Sequence, residues 1–457
     1  DFNGDGLDDL FLRYSTFDGP AHIIISLGGT GETFTFTHAG YTFQGRLGDS
    51  FIIGDVNGDG FEDILLNFNP DKTTLIFGRE VWEDIDLTVN DSSSHIDITF
   101  PTDASNDHDP TAYGEDLNAD GIQDFAIHKF VIFGRTEWPP VLDVNTLDGS
   151  NGFVTDDGYD ADKVDGGGGT YDPSVSFAGD VNADGIEDFI VRREPSVSAS
   201  VERLTLFWGK ESYEATFDAT MLSSGSKGVR FQGCTYGRPS IGVYANLRAG
   251  NFDFNGDGFE DLLLSQGING TYWCKSSWAT FLIYGGDFSG KVNFIGSETN
   301  DSFEGSVSDE IFVTGSGNDQ IKTNSGLDVV YAGPGDDVIE IKDLNFKYID
   351  AGYGIDTVKA TAAFDLSLTS LFNGHKLSRI EKIDTDNGLE NIISIGVPNV
   401  ISLTEDSMSL TIEGDATDFL ELSSDFEKDN SYSGDNDKYT SSKAYIELYV
   451  SKNITII

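Results

Sequence analysis

Basic residues are scarce. The 457-residue chain sets 28 Lys and Arg against 78 Asp and Glu, a formal net charge of −50. Nucleic acids and anionic lipid surfaces attract proteins through Lys and Arg that displace counterions, so so acidic a chain is expected to bind neither. No run approaches the roughly 18–20 consecutive apolar residues of a membrane-spanning helix, so no membrane insertion is expected. Cysteine is nearly absent: Cys234 and Cys274 can close one disulfide in an oxidising compartment, and two thiols are also compatible with a reducing one. The chain opens at Asp1 inside a motif, without a basic, apolar, small-residue leader, so any targeting signal is expected to be cleaved or to lie upstream. What is plentiful excludes disorder. Apolar residues make up 38%, with 33 Phe and 17 Tyr, too many for a disordered acidic chain, and the length suggests two or three domains.

One nine-residue string recurs five times: DFNGDGLDD at 1–9, DVNGDGFED at 55–63, DLNADGIQD at 116–124, DVNADGIED at 180–188 and DFNGDGFED at 253–261. Each has the form D-x-N-x-D-G-x-x-D. Oxygen-bearing side chains at positions 1, 3, 5 and 9, a Gly at 6 and a free carbonyl at 7 suit a tight loop around a hard cation. Calcium takes about 6–8 oxygens and tolerates irregular geometry, whereas magnesium demands a near-ideal octahedron, so Ca2+ is the expected ion. The candidate ligands of the first loop are Asp1, Asn3, Asp5, Leu7 and Asp9; of the second, Asp55, Asn57, Asp59, Phe61 and Asp63. The third offers Asp116, Asn118, Asp120, Ile122 and Asp124, and the fourth Asp180, Asn182, Asp184, Ile186 and Asp188. The fifth offers Asp253, Asn255, Asp257, Phe259 and Asp261. Merely solvated turns are the alternative, since Asp, Asn and Gly are ordinary turn residues, but five copies at fixed ligand spacing weigh against it.

An EF-hand opens the same way but needs a bidentate Glu at position 12 and flanking helices. Position 12 here is Leu12, Leu66, Ile127, Val191 and Leu264, and short apolar runs follow each loop, which read as buried strands. The EF-hand is excluded. A second string returns in step with the loops: ISLG at 25–28, LIFG at 75–78, VIFG at 131–134, LFWG at 206–209 and LIYG at 282–285. A third echo, 141–153 against 216–229, follows the Gly of that string. Loop starts lie 54, 61, 64 and 73 residues apart, a period that suits four-stranded propeller blades. Together these strings resemble the FG-GAP repeats of the integrin-alpha propeller and its bacterial relatives over about residues 1–290. The resemblance implies a β-propeller whose loop Asp and Asn residues bind calcium on one face. Family propellers usually carry seven blades; about five are supplied here.

From Gly296 the period shortens to nine, over 296–304, 305–313, 314–322, 323–331 and 332–340. Position 6 is always acidic (Asp301, Glu310, Asp319, Asp328, Asp337) and position 8 always apolar (Phe303, Phe312, Ile321, Val330, Ile339). A displaced sixth turn supplies Gly352, Gly354, Asp356 and Val358. This is the G-G-x-G-x-D-x-U-x pattern of a calcium-binding parallel β-roll, with successive turns on alternate edges. Asp319 and Asp337 should therefore share one edge and Asp328 the other, and these three are the candidate ligands. The region resembles the RTX, or haemolysin-type, repeats of proteins exported by bacterial type I secretion. The first two turns depart from it, with Thr299 and Ser308 where Gly is expected.

Segments within 361–457, including 366–371, 380–383, 400–403, 410–412 and 445–450, read as strands of a β-rich C-terminal domain. The strings RIEKID at 379–384 and SMSLTIEGD at 407–415 resemble segments that follow such repeats in large bacterial surface proteins, which implies a cap and a part in export. Catalytic signatures are missing: the six His show no H-E-x-x-H spacing, and there is no G-x-S-x-G elbow, phosphate loop or Cys-His context. Trp273 and Trp278 flank Cys274, as a sugar-binding surface or as ordinary packing.

The sequence thus predicts an all-β protein: an FG-GAP β-propeller over 1–290, an RTX-like parallel β-roll over 291–360 and a β-rich cap over 361–457. It predicts a secreted or cell-surface, non-enzymatic, calcium-binding protein that acts in adhesion or extracellular assembly. The expected partners are a protein or glycan ligand on a cell or matrix surface, or other copies of the chain. The alternative is the non-catalytic part of a larger secreted enzyme whose catalytic domain lies upstream.

Overall fold

The computed structural model describes residues 10–15, 21–26, 33–36, 50–69, 72–79, 82, 92–101, 110–156, 174–193, 203–218, 228–232, 239–243, 253–268, 277–288, 290–367, 376–404, 407–441 and 444–457. The first loop, 1–9, both cysteines and Trp273 lie outside them.

Among the described residues five sheets, antiparallel except for two crossing strands, follow one another as blades. The second blade runs Ser50–Gly54, Asp63–Asn69, Lys72–Ile76 and His95–Thr99, each strand hydrogen-bonded to the next. Its D-x-N-x-D-G loop joins the first strand to the second, and the third and fourth blades repeat this order. The LIFG-type string ends the third strand. In the third blade, Asp124–Ile127 and Phe130–Ile132 are buried at every position, because sheets stack on both of their faces. A two-residue turn joins them, with His128 at φ 52°, the left-handed geometry that short hairpins favour.

The cores lie between blades. Leu65, Leu75 and Ile96 of the second blade pack against Phe125, Ile127 and Ile132 of the third. The third blade's opposite face, Ala126, Val131 and Phe153, meets Val175, Phe189 and Phe207 of the fourth. The third sequence echo is a crossing strand: Val141–Asp143 and Thr216–Asp218 each leave their own blade and pair in parallel with the outer strand of the preceding one. The second blade is thereby tied to the third, and the third to the fourth, by backbone hydrogen bonds as well as by packing.

Beyond residue 290 the pairing turns parallel, with Gln320 opposite Val338 and Ile311 opposite Val329, an eighteen-residue coil made of two nonapeptides; only Phe426–Lys428, Asp437–Ser441 and Glu447–Val450 pair antiparallel there among the described residues. Phe312, Ile321, Val330 and Ile339 point inward and are buried, as period nine requires. The sheet does not stop at 360. Val338–Ile341, Thr357–Ala360, Lys382–Asp384, Ser409–Glu413 and Glu447–Val450 pair successively, and one core runs from Phe312 to Ile454. The segment 361–457 is β-rich and continues the same stack in wider coils, with Lys382 opposite Thr411. One expected strand is a helix: 400–403 falls within the helix Val397–Thr404. Its buried Val397, Val400, Leu403 and Thr404 recur at helical spacing, a periodicity that the β-branched composition concealed.

A stack with one core should unfold as one unit. Leu410→Ala, at a fully buried position in the 361–457 segment, is expected to cost about 2–5 kcal/mol and to lower the stability of the nonapeptide coils with it. Denaturant unfolding followed by hydrogen exchange tests this. A variant that loosens 361–457 while leaving 311–341 at wild-type protection would show two separate domains.

Candidate metal centres

The four described loops share one internal frame. The position-1 carboxylate accepts the loop's own N–H groups: Asp55 from Gly58 (2.7 Å), Asp59 (3.1 Å) and Gly60 (2.7 Å). Asp253 does the same with Gly256, Asp257 and Gly258 at 2.7, 3.2 and 2.6 Å. Bending the backbone this tightly around one carboxylate needs left-handed residues at positions 4 and 6. Gly60, Gly121, Gly185 and Gly258 have φ between 76° and 90°, and Ala119 and Ala183 reach 56° and 54° at position 4.

Position 9 is a clasp. One oxygen of Asp63 accepts from Val56 N (2.9 Å) and the other from Gly78 N (2.8 Å), and Gly78 is the Gly of the LIFG string. Asp124 joins Leu117 to Gly134, Asp188 joins Val181 to Gly209, and Asp261 joins Phe254 to Gly285 in the same way. This is why loop and string recur together. The string must end in Gly because a Cβ on Gly209 would lie 2.1 Å from the Glu187 carbonyl and 2.6 Å from Ile186 Cγ2.

Carboxylates gathered in this way are uncomfortable without a cation. Burial raises Asp59 to about 6 and both Asp116 and Asp180 to about 7, and neighbouring Asp charges push further in the same direction. Among the described residues no three His, Cys, Asp or Glu side chains converge as a ready-made cage. The loops have a mixed donor set instead: carboxylates, an Asn amide oxygen and a backbone carbonyl. Asn57, Asn118 and Asn255 each donate to the position-5 carboxylate at 2.8, 2.9 and 2.7 Å. In the fourth loop Asn182 Oδ1 and Asp184 Oδ1 are buried and accept no hydrogen bond. Buried oxygens with no donor are what a hard, oxygen-seeking cation fits.

In the roll, carboxylates form ladders along the edges. Asp319 accepts from Asp301 N (2.7 Å), Asp337 from Asp319 N (2.6 Å) and Asp356 from Asp337 N (2.7 Å). On the opposite edge Asp328 accepts from Glu310 N at 2.9 Å. Only one oxygen of each rung on the first edge is used: Oδ2 of Asp319, Asp337 and Asp356 is buried without a partner. Burial raises Asp337 to about 7 and Asp356 to about 8. The departing turns are different. Asp301 is held by the N–H and hydroxyl of Ser297, and Glu310 by those of Ser306, so these turns close on their own serines.

Asp356, read from the sequence in the displaced sixth turn though not as a candidate ligand, joins the first edge. Other participants escaped the sequence reading. Position 8 of the third loop also carries a link: Gln123 Oε1 accepts from Asp55 N at 2.8 Å, tying the third loop to the second. The signal was the polar residue recurring there, Glu62, Gln123, Glu187 and Glu260. Arg79 and Arg135, just after the strings, donate to carbonyls on two strands and lie over Trp82 and Trp138.

Comparison with known proteins agrees with this geometry. Residues 1–66 match the FG-GAP-like repeat, and residues 304–339 match the RTX calcium-binding nonapeptide repeat in four copies. The chain therefore contains FG-GAP repeats and RTX repeats; the latter bind calcium and are typical of bacterial proteins secreted by the type I route. No curated protein and no solved structure matches the chain.

Two outcomes follow from the loop chemistry. Asp124→Ala strands two buried N–H groups, those of Leu117 and Gly134, each at a cost of about 1–3 kcal/mol, and chemical denaturation should show that loss even with the loops' other carboxylates intact. The second concerns pH. These carboxyl pKa values lie above the unfolded value in the metal-free protein, so the folded state holds protons more tightly and loses stability as pH rises from about 4 towards 8. Metal-free protein should melt at a lower temperature at pH 8 than at pH 5, and added calcium should raise the melting temperature most at pH 8. A calcium effect of equal size at both pH values would count against it.

Proposed function

We propose that the protein is an extracellular calcium-dependent binding protein, whose propeller loops and roll edges hold Ca2+ as a structural ion and whose rigid surface engages a protein or glycan on a cell or matrix, or further copies of itself. The observation that carries the reading is the unpartnered Oδ2 atoms of Asp319, Asp337 and Asp356 along one roll edge, together with orphaned Asn182 Oδ1 and Asp184 Oδ1 in a propeller loop. Both repeat types present buried oxygens without a donor, which a cation satisfies, so one kind of ion serves both halves in this reading. Calcium supplies positive charge without geometric demands, which is what stacked carboxylates need.

Those residues also suggest how the chain becomes rigid outside the cell. At low calcium the edge carboxylates repel and the nonapeptide coils stay open; at the millimolar calcium of extracellular surroundings they close. In the propeller, Asp55, Asp116, Asp180 and Asp253 would be the first ligands, with Asn and Asp at positions 3 and 5 and the position-7 carbonyl. The position-9 Asp would serve both as ligand and as clasp. With a net charge of −50, the surface favours cationic or calcium-bridged partners and avoids anionic ones.

The reading is tested by presenting the full chain to immobilised matrix proteins, glycans and intact cells, with calcium and with chelator, alongside light scattering for self-association. Capture or assembly should disappear with chelator and return with calcium. Ligand capture indifferent to chelator would remove calcium from the function, and neither capture nor assembly in any arm would remove the binding role.

A further inference from the structure

The roll is seated on the propeller's loops, and the fourth loop is the one it closes. Ala183, fully buried, and Phe259 share an apolar cluster with Val313, Val329 and Tyr331 of the roll. Gly185 is pressed so close that a Cβ there would lie 2.6 Å from Val329 Cγ2. Around this seam one polar contact, Ser316 Oγ to the Gly256 carbonyl at 3.1 Å, reaches the fifth loop, and three reach loop 180–188. Tyr331 Oη donates to Asp180 Oδ2 at 2.6 Å, Lys347 Nζ donates to the Asp184 carbonyl at 3.1 Å, and Lys291 Nζ lies 3.6 Å from Asp184 Oδ2.

The loop is also built differently inside. Where Asn57, Asn118 and Asn255 turn on their position-5 neighbours, Asn182 Nδ2 donates to both oxygens of Asp188, each at 3.1 Å. Asn182 is 0% exposed, and its Oδ1 has no partner, like Asp184 Oδ1 beside it. An amide oxygen and a carboxylate oxygen shut away from water without donors are costly unless a cation takes them.

We propose that loop 180–188 is a divalent-cation site shared between propeller and roll: the loop supplies the oxygens, and Tyr331, Val329 and Lys347 supply the lid. All its donors are oxygens, which selects calcium. The ion is shut in by the roll, so it leaves only when the roll lifts, and its binding and the docking of the roll support each other reciprocally. This rests on the reading of the propeller loops as calcium sites, and it goes further by making one of them a joint. Tyr331 is a positioning residue here: its hydroxyl holds the Asp180 carboxylate from across the seam.

The test uses the full chain loaded with Ca2+ and mixed with excess fluorescent chelator, so that release is timed. One class of ion should leave at least about tenfold more slowly than the rest, as expected for release gated by a local opening. Asp184→Asn should abolish that class and lower the bound calcium. Tyr331→Phe should keep the bound calcium and speed the slow class several-fold, and Ala183→Glu, which drives a charge into the apolar seam, should merge it with the fast one. Single-phase release from the wild type, or a slow class unchanged in Tyr331→Phe and Ala183→Glu, overturns the proposal. Asp59→Asn separates the two levels of the reading. If it lowers bound calcium and Asp184→Asn does not, the shared site alone is wrong; if neither does, the propeller loops bind no calcium at all.

Discussion

Mutual repulsion of carboxylates held a few ångströms apart is the constraint on which this structure turns. In each described propeller loop the position-9 Asp is pushed up by the charges of the Asp at positions 1 and 5, and the first edge of the roll stacks Asp319, Asp337 and Asp356 as rungs of an acidic ladder. Burial removes the water that would otherwise screen them, and burial is the leading cause that raises Asp180, Asp337 and Asp356. The chain relieves part of this with its own amides: position-1 carboxylates collect loop N–H groups, and roll carboxylates each take the N–H of the rung before. Those bonds fix geometry but add no positive charge. What remains are the buried oxygens of Asp319, Asp337, Asp356 and Asp184 that accept no hydrogen bond.

The same carboxylates make the architecture. Asp63, Asp124, Asp188 and Asp261 clasp the start of a loop to the Gly that ends a neighbouring strand, so the metal loop and the strand register of a blade are one construction. Gln123 extends the connection to the preceding loop, and the crossing strands Val141–Asp143 and Thr216–Asp218 repeat it at the outer edge. Between the third and fourth blades Tyr213 does related work: its hydroxyl donates to the Leu117 carbonyl and accepts from Lys210 N, both at 3.2 Å. The second and third loops are thus joined by a direct hydrogen bond.

The roll adds a second layer of coupling. Its core is continuous from the nonapeptide coils into the wider coils that follow, so the helix Val397–Thr404 and the last strands are part of its body. It meets the propeller at the fourth and fifth loops, through Tyr331 on Asp180 and Ser316 Oγ on the Gly256 carbonyl at 3.1 Å. The propeller repeats and the calcium-binding nonapeptide repeats thus share a boundary.

Sequence by itself determined whatever is periodic. Five D-x-N-x-D-G-x-x-D strings and the strings that follow them gave blades, and period nine gave a parallel roll with Asp319 and Asp337 on one edge and Asp328 on the other, because side-chain direction in a repeat follows from spacing alone. Apolar residues at position 12 were enough to dismiss the EF-hand. Tertiary structure decided whatever joins residues far apart in the chain. The clasp between Asp188 and Gly209, the link from Gln123 to Asp55, the crossing strands, the run of the sheet through residue 360 and the contact of Tyr331 with Asp180 all bridge segments whose separation has no period. The helix at 397–404 belongs with them: its β-branched residues suit a strand locally, and only packing against the last coils settles it as a helix, since burial on one face at helical spacing outweighs intrinsic preference.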